Sequence, residues 1–77
     1  LSPAAIIRLV LRLGGMTANE MQQHRLLMEA QRLLIYTSAS AVQIAAELGF
    51  QDPAYFSRFF KRHTGLTPLA FRQARAG

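Results

Sequence analysis

An all-α domain of five helices is the fold that the sequence predicts, on three observations. Capping residues and prolines recur where apolar periodic segments begin, and glycines recur where they end. No stretch alternates apolar and polar residues in the manner of a half-buried strand. The chain is 77 residues long and 51% apolar, which fits one small helical domain near the lower limit for a self-sufficient core.

The first helix is predicted at 3–13, where Ser2 offers a capping oxygen and Gly14 and Gly15 supply the stop. Pro3 takes the first helical position, at which its missing N–H is no loss. Ile6, Leu9, Val10 and Leu13 form its apolar side, but the segment is broken by Arg8 and Arg12 and is too short to cross a bilayer. The second helix, 18–36, opens on Thr17-x-x-Glu20, a capping box. On a wheel of about 100° per residue, Leu26, Leu27, Ala30, Leu33 and Leu34 share one side, and Met21, Met28 and Ile35 lie almost opposite. A helix apolar on two faces is expected to bridge two small bundles, over a span of about 28 Å at about 1.5 Å per residue.

The third helix, 41–48, opens on a second capping box, Ser40-x-x-Gln43, and stops at Gly49. Asp52-Pro53 starts the fourth at 53–63, with Gly65 beyond its end, and Thr67-Pro68 starts the fifth at 68–74.

Shifted by 50 positions, "SPAAIIRLVLRLGGMTANEM" lies over "DPAYFSRFFKRHTGLTPLAF" without a gap. Pro3/Pro53, Ala4/Ala54, Arg8/Arg58, Arg12/Arg62, Gly15/Gly65 and Thr17/Thr67 are identical pairs. Arginines that match along with caps argue for a duplicated unit.

Nine Lys and Arg against four Asp and Glu leave a net charge of +5, which favours anionic partners, nucleic acid before membrane. The absence of cysteine excludes disulfides and thiolate metal sites. No signal peptide or membrane span is visible, so a cytoplasmic protein is expected.

The basic residues concentrate in helix 53–63, where they separate into faces. Phe56, Phe59, Phe60 and His63 fall on one side, and Ala54, Ser57, Arg58 and Lys61 on the other, with Tyr55 and Arg62 at the boundary. Upstream, "SAVQIAAELGF" adds a short helix with small Ala45 at a close crossing, Gly49 at the turn and Phe50 as a plug. Together they read as a helix-turn-helix, whose second helix enters the major groove. Arg58 suits the O6/N7 edge of guanine, Lys61 and Arg62 suit phosphates, and Ser57 suits either. Ala54 suits a thymine methyl and Tyr55 the sugar–phosphate backbone. Taken singly, such residues are usually a solvated helix face. The turn, the caps and the charge together favour groove contact.

His24 and His63 are the only histidines, and neither has a second ligand at metal spacing. His63 is expected at the edge of the aromatic core and His24 at the surface or an interface. No nucleophile–base pair and no phosphate-cradling loop occurs, so no enzyme, no metal and no cofactor are expected.

"IAAELGFQDPAYFSRFFKRHTGLTPLAFR", residues 44–72, closely resembles the C-terminal signature of AraC/XylS-type bacterial transcription regulators. Ile44, Ala45, Gly49, Phe50, Phe56, Ser57, Arg58, Phe60, Lys61, Gly65, Pro68, Phe71 and Arg72 fall at that pattern's positions. "RLLMEAQRLL", residues 25–34, resembles the family's linker helix. The resemblance implies two helix-turn-helix units joined by a long helix, reading successive major grooves of double-stranded DNA. Residues 1–17 are then a partial first unit, 18–36 the linker helix, and 37–77 a complete second unit. The first unit's recognition helix would present Ala4, Ile7, Arg8 and Arg12, with Ile7 and Leu11 where the second copy has Ser57 and Lys61. The family's first unit has two further helices before this one, so the chain is expected to be a fragment or incompletely observed.

Sequence-specific DNA binding within a transcription regulator is therefore the expected function, with RNA polymerase a further candidate partner. The alternative is a helical protein–protein module using the apolar helix 3–13, including self-association through it. Membrane binding by that helix is disfavoured, because only two cations border it.

Overall fold

The computed structural model describes residues 2–12 and 17–76; the side chains at 7, 10–12 and 76 fall outside the description. The described residues form α1 (Pro3–Arg12), α2 (Ala18–Tyr36), α3 (Ala41–Glu47), α4 (Pro53–Thr64) and α5 (Pro68–Ala76), with no strand among them. The expected helices are all present. α3 stops one residue early because Leu48 serves as its C-cap, and α5 continues two residues past its expected end at 74. The glycines expected to stop the first helix, Gly14 and Gly15, lie outside the described residues.

Every expected start signal makes its hydrogen bond. Ser2 Oγ accepts from the Ala5 N–H at 3.2 Å, Asp52 Oδ1 from Ala54 at 2.9 Å and Thr67 Oγ1 from Ala70 at 3.1 Å. Both capping boxes are reciprocal. Thr17 Oγ1 accepts from the Glu20 N–H while the Glu20 carboxylate accepts from the Thr17 N–H, each at 3.1 Å. Ser40 and Gln43 repeat the exchange at 3.1 and 2.8 Å. Each cap satisfies otherwise orphaned N–H groups and contributes about 1 kcal/mol. In a domain this small, such local terms matter beside the core.

The core lies where the C-terminal half of α2 meets α3, α4 and α5. Ala30, Leu33 and Leu34 of α2 pack with Ile44 and Ala45 of α3, Phe56 and Phe60 of α4, and Phe71 of α5. Ala30 and Ala45 are both 0% exposed, so backbones approach where a larger side chain would hold them apart. Phe60 meets Phe71 edge-on at 5.3 Å and Phe56 at 6.0 Å, geometries that the aromatic quadrupole favours. Among the described residues no polar or charged side chain is buried, so this core carries no polar desolvation penalty.

The two-faced expectation for α2 needs correction. Its Leu/Ala side is in the core as expected, but Met28 is 53% and Ile35 41% exposed. Of the second stripe only Met21 is half-buried; it and the exposed Met28 line an open groove with Pro3, Ala4 and Ile6 of α1. One ten-residue helix cannot cover the second face of a nineteen-residue one.

The end of α2 is held from another element. Thr37 returns its N–H to the Leu33 carbonyl at 3.1 Å and its hydroxyl to the same oxygen at 2.6 Å. From α5, Arg72 donates Nε–H to the Leu34 carbonyl at 3.0 Å and an Nη2–H to the Thr37 carbonyl at 3.1 Å.

Candidate nucleic-acid interface

The α3–α4 connection is a Schellman turn. With Leu48 as C-cap, the Phe50 N–H reaches back to the Ala45 carbonyl at 2.9 Å and the Gly49 N–H to Ala46 at 3.1 Å. Gly49 sits at φ 91°, a conformation that L side chains rarely adopt. Phe50 then fills the angle between the helices, its ring 5.2 Å from Phe56, 5.5 Å from Phe59 and 5.9 Å from Tyr55. The expected plug is in place. Its contacts fix the direction in which α4 leaves the turn.

α4 divides into two faces as the wheel predicts. Phe56, Phe59 and Phe60 are buried, and His63 packs at their edge with its ring 4.8 Å from Phe59. On the opposite side Ala54, Arg58 and Lys61 are exposed and Ser57 is half-buried. Arg62 and Tyr55 border this surface, with Tyr55 52% exposed while its ring stays against Phe50. Among the described residues the one ion pair is Glu29–Arg32 on α2, so Arg58, Lys61 and Arg62 have no carboxylate partner. Three unneutralised cations on one exposed helix make a surface of positive potential suited to a polyanion.

On α1, Ala4 and Arg8 are both exposed, four residues apart and hence on neighbouring positions of one face. The other two residues expected there, Ile7 and Arg12, have side chains outside the described residues, as does Leu11. Ile6 is 46% and Leu9 50% exposed.

Two features escaped sequence reasoning. His24 and His63, far apart in the chain, line a single cleft of ≈ 220 Å³ with Glu20, Gln23 and Leu27. Among the described residues no group of three or more His, Cys, Asp or Glu is placed to hold a metal ion. The Arg72 clasp on the end of α2 was equally invisible, because its acceptors are backbone carbonyls 35 and 38 residues away. No residue type at Leu34 or Thr37 advertises it.

A short capped helix, a glycine-centred turn and a second helix with an aromatic inner face and a cationic outer one define a helix-turn-helix bundle. The family comparison agrees. A family model described as a helix-turn-helix domain matches residues 1–74, and the chain belongs to that family, as its AraC/XylS-type signature implied.

Several curated regulators are similar to it. The HTH-type transcriptional activator RhaR of Cronobacter sakazakii is 42% identical over 59 residues, covering 77% of this chain and 21% of that protein. The uncharacterized transcriptional regulatory protein YesN of Bacillus subtilis is 46% identical over 48 residues, 61% of this chain and 13% of its own length. The uncharacterized HTH-type transcriptional regulator YisR of the same organism is 36% identical over 59 residues, 77% and 21% respectively. The chain thus spans 21% or less of the length of these relatives. No solved structure matches it. Among the described residues, no helix is long and apolar enough to cross a membrane.

Proposed function

We propose that this chain is the DNA-binding domain of a bacterial transcription regulator and binds double-stranded DNA sequence-specifically with α4 in the major groove. The observation that carries the reading is the division of α4: three buried phenylalanines hold it to the core while Arg58, Lys61 and Arg62 stand exposed without carboxylate partners. Arg58 reads a guanine edge through its bidentate fork, and Lys61 and Arg62 neutralise phosphates. Ser57 contacts base or phosphate, Ala54 a thymine methyl, and Tyr55 the sugar–phosphate backbone.

Residues 1–17 are the partial first unit and 18–36 the linker, with 37–77 the complete second unit. α1 offers Ala4, Ile7, Arg8 and Arg12 to a neighbouring groove by the register of the repeat. The protein acts in the cytoplasm without catalysis, and RNA polymerase at the promoter is a further partner. A second reading rests on the half-exposed Ile6 and Leu9 of α1, which favour docking of another protein or a second copy on that helix.

Selection of bound duplexes from a random pool tests the main reading, followed by titration of the enriched sequence at two salt concentrations. Binding through Z phosphates weakens with a log–log slope of about −0.9Z, whereas docking through apolar α1 hardly responds to salt. Arg58→Ala should lose about 1–3 kcal/mol on the enriched site with helicity unchanged. A pool with no enrichment sinks the sequence-specific reading, and lost helicity in the variant would make Arg58 structural.

A further inference from the structure

We propose that Arg72 is a positioning residue that sets the spacing between the two DNA segments the chain reads, by locking the linker helix to the second helix-turn-helix unit. The inference rests on the DNA reading above and adds to it a residue outside those assigned to DNA contact. α5 has two attachments. Phe71 packs edge-on against Phe60 of α4 at 5.3 Å. Its neighbour Arg72 holds the Leu34 and Thr37 carbonyls at the end of α2. One helix therefore ties the reading helix to the linker.

The two attachments differ in kind. Apolar packing between α2 and its neighbours is non-directional, whereas two N–H groups of one planar guanidinium on two carbonyl oxygens specify an angle, because a hydrogen bond weakens steeply away from linearity. α2 has no basic residue in its own last turn, so the charge that faces its C-terminal carbonyls comes from α5.

Leverage makes this small constraint consequential. Ala30 is the buried residue of α2 nearest α1, and from it the helix extends 12 residues toward α1, about 18 Å at about 1.5 Å per residue. Swinging this arm by about 11° carries its far end about 3.4 Å, one base-pair step along the duplex. A loosened clasp thus lets α1 reach adjacent registers while α4 stays seated. A held clasp makes the distance between contacts a property of the protein.

The test compares the wild-type chain with Arg72→Met and Arg72→Lys on the selected duplex, on that duplex with one base pair inserted or removed between the contacted segments, and on a duplex carrying only the α4 segment. The wild type should lose about tenfold or more on the respaced duplexes. Arg72→Met should match the wild type on the α4-only duplex within about twofold and lose less than about threefold on respacing. Arg72→Lys, which keeps the charge but not the fork, should fall between them.

A DNA-independent arm uses spin labels at Asn19→Cys and Gln73→Cys, both exposed in a chain with no other cysteine. Their distance distribution should broaden in both Arg72 variants. The proposal is overturned if the spacing penalty persists in Arg72→Met, if affinity falls equally on all duplexes, or if the distances stay as narrow as in the wild type. Failure of the wild type to bind any duplex overturns the DNA reading and the spacing role with it, while the distance arm still judges the clasp. Should Arg72→Met fail to fold, an unchanged spacing penalty in Arg72→Lys overturns the proposal and a reduced one supports it.

Discussion

Gly49→Ala isolates the backbone contribution of the turn that aims α4. A methyl group built at Gly49 finds no atom within 4 Å, so the substitution creates no clash. Its effect lies in φ alone, which at 91° is beyond the small left-handed basin open to L residues. Strain at the upper end of the usual range is about 2 kcal/mol, and the reduced entropy of the unfolded alanine chain offsets about 0.4–1 kcal/mol. The net loss should be about 1–1.6 kcal/mol, or a melting temperature lower by about 4–13 °C in a domain of this size. Gly65→Ala is the internal comparison. It has φ 84° and equally open surroundings at the end of α4, so its loss should be similar. Gly49→Asn should lose less than Gly49→Ala, since asparagine visits this region more readily. Urea unfolding followed by far-UV circular dichroism measures all three. A loss above about 3 kcal/mol for Gly49→Ala, or none, would refute the assignment of its effect to backbone conformation alone.

Phe60 is 0% exposed and meets both Phe56 and Phe71, so Phe60→Ala should lose about 3–5 kcal/mol and leave much of the chain unfolded by circular dichroism. Retention of a cooperative transition at the wild-type midpoint would contradict the described core. If Lys61 and Arg62 each neutralise a phosphate, alanine at either position should reduce the log–log salt slope by about 1 and weaken all sequences alike. A loss confined to one sequence would instead mark a base contact.

The Thr17 N–H, then the Thr17 hydroxyl, hold the Glu20 carboxyl below its usual pKa. Its stabilising effect is therefore complete above the unfolded-chain value and is lost as pH falls through the lower folded value. Amide exchange in the first turn of α2 should accelerate over that acid range, and Glu20→Gln, which can keep the cap, should remove the local dependence. The same acid response in the glutamine variant would exclude Glu20 as its source.

Much of the fold was legible because its signals are local. A cap such as Ser40 and its partner Gln43 are three residues apart, and a glycine or proline constrains its own backbone wherever the chain later goes. The faces of α4 were legible for the same reason, since 3.6-residue periodicity separates Phe56, Phe59 and Phe60 from Ser57, Arg58 and Lys61. The second stripe of α2 was read less well. Periodicity identifies Met28 and Ile35 as apolar but does not say whether another element arrives to cover them.

The sequence by itself determined the helices, their caps, the Gly49 turn and which side of α4 is polar, because each depends on chemistry within a few residues. Tertiary structure decided which apolar stripe of α2 became core, that His24 and His63 share a cleft, and that Arg72 closes on the end of α2. These depend on how separate helices meet in space. The Arg72 acceptors in particular are carbonyl oxygens, which nearly every residue possesses and which no sequence can single out.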